Sequence, residues 1–164
     1  MRELIHRWIM EDLSIVDPKL GYAPCPYAKR AWIDDKVKIV MCEDDLWDRI
    51  ADECANFPAD KVVTVCMQED PLQTYDELEA ACMAMNSFFS ATGQDLWLLS
   101  FQTDFAMVFI QKLSELDDAS QKLEKMGYYA NYESDDYVKL ILNRRERRIR
   151  NEEQAQEDAR RRSR

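Results

Sequence analysis

Residues 61–101 read KVVTVCMQEDPLQTYDELEAACMAMNSFFSATGQDLWLLSF. This stretch decides the fold, because it holds a strand, a helix and a second strand with both joints marked. Lys61 to Met67 is a short run rich in valine, apolar enough to predict a central strand. Thr74-Tyr75-Asp76-Glu77 has the pattern of a capping box, in which the hydroxyl and the carboxylate satisfy each other's backbone N–H groups. The helix it opens extends to about residue 92. Leu78, Ala81, Cys82, Met85, Phe88 and Phe89 share one face of it, and Gly93 supplies its stop. Asp95 to Phe101 then returns to strand character.

The flanks extend the pattern. Lys36 to Cys42 alternates polar and apolar residues and predicts a strand. Asp44 or Asp45 caps a helix over 45–57, with Leu46, Trp47, Ile50, Cys54 and Phe57 as its stripe and Pro58 as its end. Two consecutive strand-helix-strand units predict parallel pairing with right-handed crossovers. Ile5, Trp8, Ile9, Leu13 and Val16 predict an amphipathic helix over 3–16, followed by a proline-rich loop over 17–27.

Downstream, Ala106 to Ile110 pairs with 95–101 as a hairpin, and Ser114-x-x-Asp117 opens a helix that Gly127 closes. Tyr128 to Tyr132 and Tyr137 to Leu142 flank a Glu-Ser-Asp-Asp turn and predict a closing hairpin. The expected fold is therefore α/β (or α+β): a mixed five- to six-stranded sheet with packed helices over residues 1–143. Residues 144–164 form a charged, Arg-rich helical tail.

The 164 residues are 46% hydrophobic and 33% charged, which suits a folded domain and excludes a disordered chain. No apolar run approaches the ~20 residues of a membrane span, and charges inside the first helix predict no signal peptide. The net charge of −10 is unevenly placed. Residues 144–164 hold nine arginines and five acids, a net of +4, which leaves −14 on residues 1–143. Such a body repels nucleic acid and anionic membrane, whereas the tail has the opposite preference.

Five cysteines, Cys25, Cys42, Cys54, Cys66 and Cys82, form no C-x-x-C pair. The last four fall on apolar stripes or strands, where a free thiol acts as a small hydrophobe, and this predicts a reducing compartment, the cytoplasm. Cys25 stands apart. Cys25-Pro26-Tyr27-Ala28, followed by Lys29 and Arg30, resembles the active-site segment of glutaredoxins and omega-class glutathione transferases. The resemblance implies a thiolate at a helix N-terminus, favoured by the helix dipole and nearby cations. Ala28 stands at the resolving position, so only one-thiol chemistry follows. The same residues also read as a packed turn.

The chain further resembles an uncharacterised bacterial domain family with an N-terminal helix followed by a Cys-Pro-Phe/Tyr-Ala motif. The matching parts are Trp8 with Ile9, Cys25 to Ala28, the strands Lys36 to Cys42 and Val62 to Met67, and the strand end Ser100-Phe101. That resemblance spans residues 3 to about 110 and implies the fold, with no assigned activity.

His6 is the one histidine, and the cysteine spacing has no zinc-site pairing, so no metal is expected. Three glycines are too few for a phosphate-cradling loop or dinucleotide fingerprint, and no cofactor is expected. The tail carries Arg144, Arg145, Arg147, Arg148 and Arg150, then Arg160, Arg161, Arg162 and Arg164, interleaved with acids as in a solvated helix held by side-chain pairs. Such a helix can also dock on the acidic body.

The leading expectation is a small acidic accessory or regulatory protein, of the kind phages use, acting by binding another protein. Next comes a one-thiol redox or glutathione-type enzyme with Cys25 as nucleophile and Tyr27, Lys29 and Arg30 as binding residues. The third is nucleic-acid binding through Arg144, Arg145, Arg147 and Arg148. No membrane partner is expected.

Overall fold

The strand, helix and strand of the 61–101 stretch form where the sequence predicts them in the computed structural model, which describes residues 2–19, 21–69, 71 and 73–162. Met1, Leu20, Asp70, Leu72, Ser163 and Arg164 lie outside the described residues. The capping box forms: Thr74 N–H donates to Glu77 Oε2 at 2.8 Å, and Glu77 N–H donates to Thr74 Oγ1 at 3.4 Å. At the other end Gln94 N–H donates to Phe89 O at 2.8 Å across Gly93, whose φ of +68° is open to glycine at little cost.

The elements in chain order are α1 (Arg2–Trp8, widening into a π turn over Ile9–Leu13), α2 (Ala28–Ile33), β1 (Val37–Met41), α3 (Leu46–Ala55), β2 (Val63–Glu69) and α4 (Tyr75–Ala91). Then follow β3 (Trp97–Gln102), β4 (Phe105–Gln111), α5 (Leu113–Lys125), a 3-10 turn over Tyr128–Asn131, α6 (Ser134–Tyr137), a second π turn over Val138–Leu142 and α7 (Asn143–Arg162). The strands form one mixed sheet in the order β1-β2-β4-β3.

β1 and β2 are parallel neighbours, Val40 facing Cys66, as a strand-helix-strand unit requires. The second unit places its strands differently. β4 runs antiparallel between β2 and β3, with Cys66 opposite Val108 and Leu98 opposite Ile110. β2 and β3 thus share a direction without pairing.

Side chains alternate across the sheet. Cys66, Val108, Ile110 and Leu98 face α3 and α4, where they pack with Ile50, Leu78, Cys82 and Phe89. Val65, Met67, Phe105 and Met107 face the opposite way and are covered by Ile5 and Ile9 of the first helix. Trp8 fixes that cover by edge contacts with Phe101 and Phe109, at 6.1 and 5.9 Å between ring centroids. Each fully buried Ile or Leu here contributes about 1.5–3 kcal/mol.

Four strands form where five or six were expected, because the segments read as a closing hairpin are helical. Tyr128, Tyr129, Tyr132 and Tyr137 satisfy one another at local spacing. Tyr128 lies 4.9 Å from Tyr129 and 5.7 Å from Tyr132, and Tyr129 lies 5.7 Å from Tyr137. Ser134 and Asp135 lie in the first turn of a helix, where a negative side chain complements the dipole. The sheet also offers little edge for another strand beside β3, since Asn86 of α4 bonds both backbone groups of Leu98.

A second correction concerns the start of α5. Lys112 is its N-cap residue and makes no side-chain cap, and Asp117 is buried rather than capping. Asp95 does the capping from a distance: its Oδ1 accepts from Ser114 N–H at 2.8 Å and its Oδ2 from Ser114 Oγ at 2.5 Å.

Candidate functional site

A cleft of about 700 Å³ opens along β3. It is lined by the loop Pro24–Tyr27, by β3, by α4, α5 and α7, and by the tyrosine cluster. Two tyrosine hydroxyls hold the loop in place by long-range bonds. The Tyr128 hydroxyl reaches Pro24 O at 2.6 Å and Ala23 O at 2.8 Å, and the Tyr22 hydroxyl donates to Met126 O at 3.0 Å.

Of the residues singled out in the sequence, Cys25, Tyr27, Arg144 and Arg147 line this cleft. Lys29 and Arg30 do not. Lys29 is exposed, and Arg30 turns along its own short helix to Asp34, at 2.5 Å. Arg145 and Arg148 also lie elsewhere, against α5.

Cys25 is half-buried at the start of α2. Burial pushes its thiol pKa up, and hydrogen bonds from the backbone groups of Tyr27 and Ala28 pull in the other direction without overcoming it. Neither Lys29 nor Arg30 shifts it. Burial thus favours the neutral thiol, against the direction that a cation-assisted thiolate of the glutaredoxin-like reading needs. Cys54, Cys66 and Cys82 sit in the core, where burial pushes each thiol up to about 12. Among the described residues no group of three or more His, Cys, Asp or Glu is arranged to hold a metal.

The arginines of α7 divide by helical face. Arg145 donates to Glu124 at 2.9 Å and to Asp117 at 3.4 Å. Arg148 donates to Asp118 at 2.5 Å, to Asp117 at 3.3 Å and to Glu152 at 2.8 Å. Asp117 is 1% exposed, so these contacts form a partly buried latch that docks α7 on α5. Arg144, 3% exposed, completes it by donating to Ser120 Oγ. The expectation of a solvated helix thus fails for the first two turns of α7. It holds for 152–162, where Gln154–Asp158 and Arg161–Glu157 contacts run along an exposed surface.

Arg147 lies on the other face. Its guanidinium stands 5.1 Å from the Trp97 ring centroid, and Nη2 meets Ser87 Oγ at 3.5 Å. Among the described residues neither Arg147 nor Arg150 pairs with a carboxylate. Among the described residues Arg147 Nη1, Arg144 Nε and Trp97 Nε1 are buried donors without an acceptor. Burial lowers the Arg147 pKa, and the neighbouring charge of Arg150 lowers it further.

The sequence reading missed Trp97, Ser87, Asn86 and Arg150 as cleft residues. Arg150 was legible: 144, 147 and 150 recur every three residues, apart from the 145, 148, 152 series. The others depend on how α4, β3 and α7 meet and leave no local trace. Among the described residues no helix is long and apolar enough to cross a membrane. Comparison of the chain with protein-family models, with curated proteins and with solved structures finds no match.

Proposed function

We propose that the protein is an accessory binding module that takes a segment of another protein into the cleft along β3. One observation carries this reading. Arg147 and Arg150 line a large, partly apolar cleft without carboxylate partners among the described residues, in a body whose other charges are mostly acidic. Tyr27, Tyr75, Met83 and Phe101 are exposed around the same cleft, an aromatic and methionine surface of the kind that anchors partners. A volume of this size suits several side chains of an extended segment.

The other two readings have less support. The raised pKa of Cys25 speaks against nucleophilic use of its thiol. Arg145 and Arg148 are already neutralised by α5, which leaves few free cations for a phosphate backbone. The free cysteines suit the reducing cytoplasm.

Selection of a random-peptide display library on the immobilised protein tests the proposal. Peptides that bind the natural chain and lose binding to Tyr27→Ala and Met83→Asp variants support it. Failure to select any peptide, or peptides indifferent to both substitutions, contradicts it.

A further inference from the structure

We propose, resting on that reading, that Arg147 and Arg150 form a receptor for a carboxylate side chain of the bound segment, with Trp97 beneath it. The two faces of α7 contrast in how their arginines are paired. Arg145 and Arg148 each hold carboxylates of α5, at distances down to 2.5 Å. Arg147 is half-buried, stacked on Trp97 and fixed at Ser87, yet it has no counter-ion among the described residues. One turn further, Asn151 contacts Ser90 at 3.3 Å, so this stretch of α7 is tied to α4 and the arginine is held over the cleft.

An arginine held in this way is costly when empty. Its buried Nη1 has lost water and gained no acceptor, and the indole N–H of Trp97 beside it is in the same state. Two cations three residues apart on a helix also repel each other. An anion placed in the cleft against the two arginines relieves that repulsion, and a guanidinium suits a carboxylate by charge and by planar shape.

The cleft favours a singly charged anion over a doubly charged one. Glu79 and Glu146 also line it, and their field opposes a phosphoryl group more than a carboxylate. Its apolar surface, with Met83 and Tyr27 exposed, favours an acid carried on a peptide over a free small acid. The occupant is an extended segment with Asp or Glu beside apolar residues.

The test uses the peptides selected on the full chain, remade with each Glu or Asp changed to Gln or Asn or to phosphoserine. One acidic position is expected to matter. Its amide weakens binding at least tenfold, and its phosphoserine form gains nothing. Arg147→Glu and the exposed Arg150→Glu each weaken the acidic peptide, and Lys at that position restores binding to the reversed variants. Circular dichroism melts verify that both variants fold.

Peptides that bind with no acidic preference, or equally well to both reversed variants, overturn the carboxylate receptor while leaving the binding cleft in place. Phosphoserine binding tenfold tighter than Glu overturns the choice of anion. Absence of any peptide binding removes the receptor and the proposed function together.

Discussion

Asn86 of α4 closes the edge of the sheet by bonding both backbone groups of Leu98. Its Nδ2 donates to Leu98 O at 2.9 Å, and its Oδ1 accepts from Leu98 N–H at 2.7 Å. The side chain thereby does what a further strand would do, and it ties α4 to β3, which lines the cleft. Asn86 is 4% exposed, so water cannot readily replace it.

Asn86→Ala leaves the N–H and C=O of Leu98 buried and unpaired, at about 1–3 kcal/mol for each group. Urea denaturation is expected to show a loss of about 2–6 kcal/mol, summed over these two groups. Asn86→Gln, which keeps the amide at the wrong reach, is expected to recover little of it.

Asp117 is the hub of the α5–α7 latch, accepting from Arg145, Arg148 and Gln121. Asp117→Ala removes the buried acceptor that Arg145, Arg148 and Gln121 share, while Arg145 keeps Glu124 and Arg148 keeps Asp118 and Glu152. The expected loss is about 1–3 kcal/mol. Amide exchange over 143–151 should accelerate more than exchange in the sheet. Equal acceleration in both would show that the latch has no local role.

The rim of the latch sets a pH dependence. The Arg148 hydrogen bond holds Asp118 below its ordinary pKa, and bonds from Tyr137 and Arg145 do the same for Glu124. Both carboxylates release protons more readily in the folded chain than in the unfolded one. Their contribution is therefore complete above about pH 5 and is lost as pH falls through their folded values. Stability measured from pH 6 to 3 should decline, and Arg148→Gln should flatten that decline.

Cys25 should alkylate slowly. Burial raises its pKa, so the thiolate fraction at pH 7.5 lies below that of a free cysteine, whose pKa is about 8.5. Iodoacetamide labelling, resolved by peptide mass, is expected to be no faster at Cys25 than at a free cysteine in a model peptide. A rate tenfold above that value would restore the thiol-enzyme reading.

Truncation separates the two halves of α7. Removing residues 152–164 deletes the Arg148–Glu152 pair, worth about 0.3–0.5 kcal/mol, and a stretch that is mostly exposed over 152–162, so the melting temperature should barely move. Removing 144–164 deletes the buried Arg144 and the latch, and it should lower the melting temperature by several degrees.

Much of the fold was readable because its signals are local. The capping box at Thr74, the stop at Gly93 and the valine-rich run at 61–67 act within a few residues of themselves. The tyrosines misled because Tyr128, Ala130 and Tyr132 alternate like a strand while their rings pack like a helix. The tail misled differently. Its docking face is polar, and the partners of Arg145 and Arg148 lie about thirty residues earlier, so no apolar stripe marks it. Cys25 and Tyr27 were visible from their motif, whereas Trp97 beneath Arg147 was legible only as a strand residue.

The most direct measurement is an amide and indole chemical-shift map of the isotopically labelled protein, titrated with the tightest selected peptide. The account predicts saturable shifts at Trp97 Nε1–H, at the amides of Ser100 and Tyr27, and along residues 144–150, with 152–162 unmoved. Shifts confined to 152–162, or to the first helix on the far face of the sheet, would contradict it.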